Sequence, residues 1–234
     1  MGLNQTLSLS RLLKLLMWLH RCLSGIPATM TIPDDSHERA LISQGCKLIA
    51  GVDEVGRGPL AGPVVAAAVL FDPATLPDGL RDSKALSKKK LAALSELITA
   101  NCRYAIGEAT VEEIDEINIL RASHVAMCRA IAALPEQPEH VLVDGNMIPK
   151  DLTIPASAII KGDAKSVSIS AAAIVAKIWR DRVMCDLAQH YPQYGWDSNA
   201  GYPSKSHKEA LRDFGVTPHH RRSFKPIHNI LYQE

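Results

Sequence analysis

Cysteine is sparse and unpatterned in this chain: five in 234 residues, at Cys22, Cys46, Cys102, Cys128 and Cys185. The odd count and the lack of CxxC spacing argue against a disulfide framework and against a zinc site. Such usage fits a reducing, cytoplasmic compartment. Long apolar runs are also missing. The densest, Leu12–Leu23, is interrupted by Lys14, His20 and Arg21, far too soon to span a bilayer. It is a poor signal peptide as well, because Lys14 sits inside it and no small-x-small cleavage site follows. No membrane partner is expected. Net charge is only +1, so nothing global announces a polyanion partner. No internal repeat or low-complexity stretch appears.

What is present describes an ordinary globular protein, 47% hydrophobic and 22% charged, long enough for one well-buried domain plus a small appendage. Residues 1–45 read as an N-terminal extension. Its first 30 residues are either an amphipathic helix or the product of an upstream start codon, and Met30 would begin a compact chain. Residues 46–234 read as one catalytic domain whose C-terminal region, about 190–234, is basic and helical. That region carries Lys205, Lys208, Arg212, Arg221, Arg222 and Lys225 together with His207, His219, His220 and His228. A basic region facing an acidic pocket suits a metal-dependent enzyme acting on a polyanion; a solvated helical tail is the competing reading.

The patterning predicts an α/β fold with a mixed sheet. Leu48–Val52 and Val64–Phe71 read as buried strands, and the link between them is too short for a crossover helix, so they pair antiparallel. Ser87 caps a helix to about Ala100 whose first turn holds three lysines, against the dipole, which hints at an anion contact. Tyr104–Glu108 follows as a strand. Thr110-Val-Glu-Glu113 is a capping box, and Ile117, Leu120, His124, Met127 and Ile131 then recur at helical spacing until Pro135. Val141–Val143 and Ala156–Ile160 are further strands. Ser166–Ala188 is a closely packed helix, and Lys205–Phe214 is the final one.

The strand ends carry the chemistry. Gly51-Val-Asp-Glu-Val-Gly-Arg-Gly58 delivers Asp53 and Glu54 after the run Leu48-Ile-Ala. Side chains alternate along a strand, so the two acids converge only if the strand ends near Asp53 and Glu54 belongs to the turn. Two solvated acids at a strand exit are the competing reading. Asp144 and Asp163 close two other apolar strands, and ligands gather beyond strand ends in α/β sheets. Four clustered carboxylates raise one another's pKa unless cations compensate. Hard oxygen donors suit Mg²⁺ or Mn²⁺, and two such ions about 3.5–4 Å apart would support phosphodiester cleavage. Gly56 and Gly58 leave main-chain N–H groups open to a phosphate or sugar.

These residues resemble the type 2 ribonucleases H, specifically bacterial ribonuclease HII. The likeness runs through Gly51–Pro63, Asp82-Ser-Lys84, Val143-Asp-Gly145, Lys161-Gly-Asp163, Ser170–Lys177, Trp179–Arg182, Gly201-Tyr-Pro203 and His220–Phe224. It covers about residues 46–225. It implies an RNase H-like fold with a helical C-terminal extension, and endonucleolytic cleavage of RNA paired with DNA. It also implies incision 5′ to single ribonucleotides in duplex DNA, leaving 3′-hydroxyl and 5′-phosphate ends. By the same resemblance Asp53, Glu54, Asp144 and Asp163 hold two Mn²⁺ or Mg²⁺ ions. Gly56, Arg57 and Gly58 read the ribose 2′-hydroxyl, and Tyr202 stacks on the deoxyribose that follows. A monomer is implied; a sliding-clamp partner is compatible, but nothing in Leu231-Tyr-Gln-Glu234 supports one.

Lys84 and Lys177 are read as phosphate contacts, with Arg221 and Arg222 in the same role, although a surface salt bridge suits each equally. His124 is read as a satisfied core histidine, Asn146 as a turn residue, and Asp181 as locally ion-paired. Four rivals are weaker. A Holliday-junction resolvase should lack the Gly-Arg-Gly turn. A ribonuclease HIII should carry a larger folded N-terminal domain. A non-catalytic binding module needs no complete set of acids, and a small-substrate phosphatase needs no basic C-terminal region.

Overall fold

The computed structural model describes residues 32–81 and 86–232. The N-terminal Leu12–Leu23 stretch, Lys84 and the last two residues lie outside them. Thirteen segments follow in order: α1 (Ser36–Ser43), β1 (Ile49–Val55), β2 (Val64–Leu70), α2 (Lys88–Asn101), β3 (Tyr104–Ala109), α3 (Val111–Ile117), α4 (Ile119–Ala132), β4 (His140–Asp144), β5 (Ala156–Ile159), α5 (Val167–His190), the single turn α6 (Trp196–Asn199), α7 (Lys205–Phe214) and α8 (Lys225–Tyr232). The sheet order is β3-β2-β1-β4-β5. β1 pairs antiparallel with β2, and β2 with β3, as the short connection requires. β4 joins β1 in parallel and β5 joins β4 in parallel, so the sheet is mixed.

Alternation sorts each strand between two helical layers. Ala50, Val52, Val64, Ala66 and Val143 pack with Ala122, Ala126 and Ile131 of α4. Ala67 and Val69 face Leu94 and Ile98 of α2 together with Ala171, Ile174 and Val175 of α5. Every residue of β2 is buried, which explains its unbroken apolar run. α5 crosses β1 so closely that a Cβ on Gly51 would sit 2.3 Å from the Ser168 carbonyl carbon. The glycine that opens the first motif is therefore demanded by helix-on-sheet contact.

Capping residues behave as their chemistry dictates. Ser87 accepts from Lys90 N–H, and Ser166 accepts from Ile169 N–H. Thr110 and Glu113 form a reciprocal capping box. The helix expected to run on from that box is broken at Asn118, whose φ is +67°. The Asn118 Oδ1 accepts from Leu120 and Arg121 N–H and starts α4 afresh. Two more departures concern the ends of the chain. Residues 32–45 belong to the same compact unit as the sheet. Within them Glu38 is fully buried, and its Oε1 accepts from Ser166 Oγ (2.5 Å), Ser168 Oγ (2.6 Å) and Ser168 N–H (3.1 Å) at the start of α5. At the other end α7 is not the last helix. Pro226 occupies the first turn of α8, where a missing N–H costs nothing.

A third apolar cluster joins Leu60 and Ala61 of the β1–β2 connection to Met184, Tyr194, Trp196, Leu211 and Ile227. The helical C-terminal region is thus packed on the Gly56–Pro63 loop. Among the described residues no helix is long and apolar enough to cross a membrane.

Candidate active site

Asp53, Glu54 and Asp144 each offer a carboxylate oxygen, and the three oxygens lie within 4.8 Å of one another. The expected exit of Glu54 into a turn is not how they meet. β1 runs on to Val55, and Asp53 and Glu54 stand opposite Ala67 and Ala66 in the ladder with β2. On the other edge, the pairing of β1 with β4 ends at Val52–Val143. Beyond that point β1 is no longer paired with β4, and the side chains of Asp53 and Glu54 both reach toward Asp144 at the end of β4. Asp53 Oδ1 accepts from the Glu54 N–H at 2.6 Å, which turns the Asp53 carboxylate along the strand. Asp144 ends β4 and accepts from Gly162 N–H at 2.6 Å.

Asp163 lies in the short turn Gly162–Ala164 and is buried, outside that trio of converging oxygens. It is close enough for its charge to act on Asp53. Burial pushes the Asp53 carboxyl well above the usual carboxylate range, and the charges of Glu54, Asp144 and Asp163 add to it. Burial raises Glu54 too, while Arg57, with Nη1 3.2 Å from Glu54 Oε1, partly opposes the shift. This donor set fits hard divalent cations: oxygen atoms only, converging, and destabilised by mutual repulsion that positive charge would relieve.

The loop after β1 is held from beneath by two buried arginines that touch no carboxylate among the described residues. Arg221 donates to the carbonyls of Gly56 (2.6 Å), Arg57 (3.1 Å), Pro59 (2.8 Å), Gly62 (2.8 Å) and Pro63 (3.2 Å). Arg180 donates to Ala61, Pro63 and Ala200, each at 3.0 Å. Gly56 has φ +95°, and a Cβ there would fall 2.2 Å from Arg180 Nε. A trans peptide points its C=O and N–H in opposite directions. With the Gly56 and Arg57 carbonyls turned inward, the Arg57 and Gly58 amides face away from the guanidiniums. Neither donates to a protein acceptor among the described residues. Tyr202 is 48% exposed, and a Cβ on Gly58 would lie 3.3 Å from its Cε1.

Other expectations fare differently. Arg221 is fully buried and cannot reach a phosphate, because the loop carbonyls take its donors. Arg222 N–H donates to Asp115, and its side chain is exposed. Lys177 is paired with Asp181 one helical turn on, which matches the ion-pair reading of both; the two border a cavity of about 250 Å³ with Lys88 and Asp197. Gly145 turns with φ +99°, beside an exposed Asn146.

His124 is not a core residue. It is half-buried in the wall of a cavity of about 270 Å³, with Glu54, Arg57, Ser123, Asp144 and Asn146. Burial lowers its pKa, and the charges of Arg57 and Arg121 lower it further. Its position on an apolar helical face pointed to the core; only the placement of α4 beside the end of β4 turns that face into a cleft wall.

Residues 50–227 match the sequence model of the family described as Ribonuclease HII. A ribonuclease HII of Ruegeria pomeroyi is 62% identical over 205 residues, 88% of each chain. One from Paracoccus denitrificans is 60% identical over 88% of this chain and 98% of its own. Among solved structures, the ribonuclease H2 of Pyrococcus horikoshii OT3 superposes with a TM-score of 0.66 at 30% identity, covering 79% of this chain and 97% of that one.

Proposed function

Because the chain belongs to the ribonuclease HII family and is a ribonuclease H hydrolase, we propose that it cuts the RNA strand of RNA–DNA hybrids. We further assign it incision on the 5′ side of single ribonucleotides in duplex DNA, leaving 3′-hydroxyl and 5′-phosphate ends. The observation that carries this reading is the adjacency of two features: the convergent acids of β1 and β4, and, directly after them, a loop whose amides face outward beside Tyr202.

In this proposal Asp53, Glu54, Asp144 and Asp163 hold two divalent ions, Mn²⁺ or Mg²⁺. When bound, such ions neutralise the acids and supply Lewis-acid activation for phosphodiester hydrolysis. The chain's own residues do the positioning. Asp53 and Asp144 are fixed by main-chain N–H donors, so their oxygens are preset rather than recruited. Arg57 restrains Glu54 from the loop side. The Arg57 and Gly58 amides supply donors for a ribose 2′-hydroxyl, the group that separates RNA from DNA. Gly58, lacking a side chain, lets that sugar approach. The exposed ring of Tyr202 offers a stacking face for the next sugar, a contact that reads no base. Lys177 would meet a phosphate only by leaving Asp181, and Lys84 is assigned a phosphate contact on its motif alone.

The test uses a labelled DNA duplex with one internal ribonucleotide, a uniform RNA–DNA hybrid and an all-DNA control, each with and without Mn²⁺ or Mg²⁺. A metal-dependent nick 5′ to the ribonucleotide, absent in Asp53→Asn, is expected. Cleavage of the hybrid alone would remove the single-ribonucleotide assignment. Binding without cleavage under either metal would remove the catalytic one.

A further inference from the structure

Behind Tyr202 lies a buried chain of hydrogen bonds with a defined direction. Trp196 Nε1, which can only donate, lies 3.2 Å from His207 Nε2. That nitrogen is therefore an acceptor, and the His207 proton sits on Nδ1. His207 Nδ1 lies 2.8 Å from the carbonyl oxygen of Tyr202 and donates to it. At the far end the Thr217 N–H donates to His220 Nδ1 at 3.0 Å. The His220 proton is thus on Nε2, which donates to His207 Nε2 across 3.1 Å. His207, His220 and Trp196 are all fully buried. Burial lowers both histidines, so the neutral forms that this arrangement needs are the ones present. Trp196 Nε1–H and His220 Nε2–H share the single lone pair of His207 Nε2, which leaves the His207 proton on Nδ1 and directs it at the Tyr202 carbonyl, where the Ser204 N–H also donates at 2.8 Å.

The neighbouring contacts show what that anchoring accomplishes. Tyr202 N–H donates to Asn199 O at 2.9 Å, and Leu60 N–H donates to Gly201 O at 2.8 Å. The residue before Tyr202, Gly201, is therefore tied to the Gly56–Pro63 loop, and the Tyr202 carbonyl to His207. Its ring is otherwise half in solvent and held against Gly58 by no hydrogen bond among the described residues.

We propose that His207 is a positioning residue for substrate selection: by donating Nδ1–H to the Tyr202 carbonyl it sets the ring of Tyr202 beside Gly58, and so governs the preference for a ribonucleotide followed by a deoxyribonucleotide. The inference rests on the reading of Tyr202 given under Proposed function. His207 touches no substrate; it acts through the tyrosine.

The test exploits two amides of different reach. In His207→Asn the side-chain N–H can occupy the place of Nδ1–H. In His207→Gln it extends toward Nε2 and leaves the Tyr202 carbonyl with the Ser204 N–H (2.8 Å) as its one remaining donor among the described residues. Both are compared with the wild type on the single-ribonucleotide duplex and on a uniform RNA–DNA hybrid, with thermal melting to verify folding. Expected for His207→Gln is a fall of about fivefold to tenfold in the ratio of kcat/KM values, the worth of about one hydrogen bond. His207→Asn should restore the ratio to near that of the wild type. Equal losses on both substrates, or failure of His207→Asn to restore the ratio, would overturn the proposal by leaving only a packing role. Tyr202→Ala separates the two levels. If it leaves the ratio intact, the reading of Tyr202 itself falls and the proposal with it. If it abolishes the ratio while His207→Gln does not, only the role of His207 falls. Should the His207 variants not fold, His220→Phe removes a donor further from the tyrosine; a lowered ratio supports the proposal and an unchanged one overturns it.

Discussion

Replacing Arg221 by methionine is the sharpest test of how the loop after β1 is held. The guanidinium serves five carbonyl oxygens, those of Gly56, Arg57, Pro59, Gly62 and Pro63, at 2.6–3.2 Å. Among the described residues no acid lies at hydrogen-bond distance from it, and burial, helped by the charge of Arg180, pulls its pKa down to about 9. A buried acceptor left without its donor costs about 1–3 kcal/mol, so five freed carbonyls would cost about 5–15 kcal/mol if none regained a partner. Water entering the loop would satisfy some of the freed carbonyls, which places the expected loss near the lower end, about 3–5 kcal/mol. For a chain of this size that is a fall in Tm of about 6–20 °C. Arg221→Lys should do nearly as badly, because a single ammonium cannot span carbonyls that a planar fork reaches together. Urea unfolding monitored by circular dichroism measures both variants. A loss below about 1 kcal/mol in Arg221→Met, or full recovery with lysine, would refute the idea that a guanidinium cage shapes this loop.

Three further outcomes follow from the same contacts. The folded His220 has a pKa of about 3; an unfolded one titrates at its ordinary, higher value, so its contribution is full above about pH 6.5 and is lost on acidification. Between pH 7 and 5 it should account for about 2 kcal/mol of lost stability, and His220→Asn should flatten that part of the pH–stability curve. Asp53 is a buried acid whose pKa is raised by burial and by its acidic neighbours, so its effect runs the other way: stability is highest below the ordinary carboxylate pKa and falls as pH rises through the raised one. In EDTA near pH 8, Asp53→Asn should therefore raise Tm by about 2–4 °C or more while abolishing cleavage, and Mg²⁺ should stabilise the wild type but not the variant; a lower Tm for Asp53→Asn in EDTA would contradict the repulsion argument. Gly51→Ala should destabilise by about 3 kcal/mol, since its Cβ would sit 2.3 Å from the backbone of α5; an unchanged urea midpoint would mean that α5 can retreat from β1.

Much of the fold was legible because the signals are local. The unbroken apolar run of β2, the short link to β1, and the caps at Ser87 and Thr110 each involve groups a few residues apart. Where a local signal was ambiguous, reading failed. Asn118 looked like one more residue of a continuing helix, yet its left-handed φ splits α3 from α4. Lys205–Phe214 looked like the last helix, yet Pro226 stands in the first turn of another, where proline is compatible with helix. The alternation rule placed Glu54 in a turn; it did not anticipate that the pairing of β1 with β4 ends at Val52–Val143, with both carboxylates reaching toward Asp144.

The chain by itself determined the sheet's hairpin and the acids that close β1 and β4, because side-chain periodicity and turn chemistry are written over short stretches. Only the tertiary structure decided what the polar residues do. Arg221 read as a surface cation and is a buried loop clamp, since its acceptors lie as far as 165 positions away. Glu38 read as part of an N-terminal extension and caps α5 across 128 positions. His124 left the core for the cleft wall, and His207 became an anchor for Tyr202. A polar side chain has no preferred depth of its own: burial is tolerated wherever distant groups complete its hydrogen bonds, and which groups arrive is settled only when the whole chain packs.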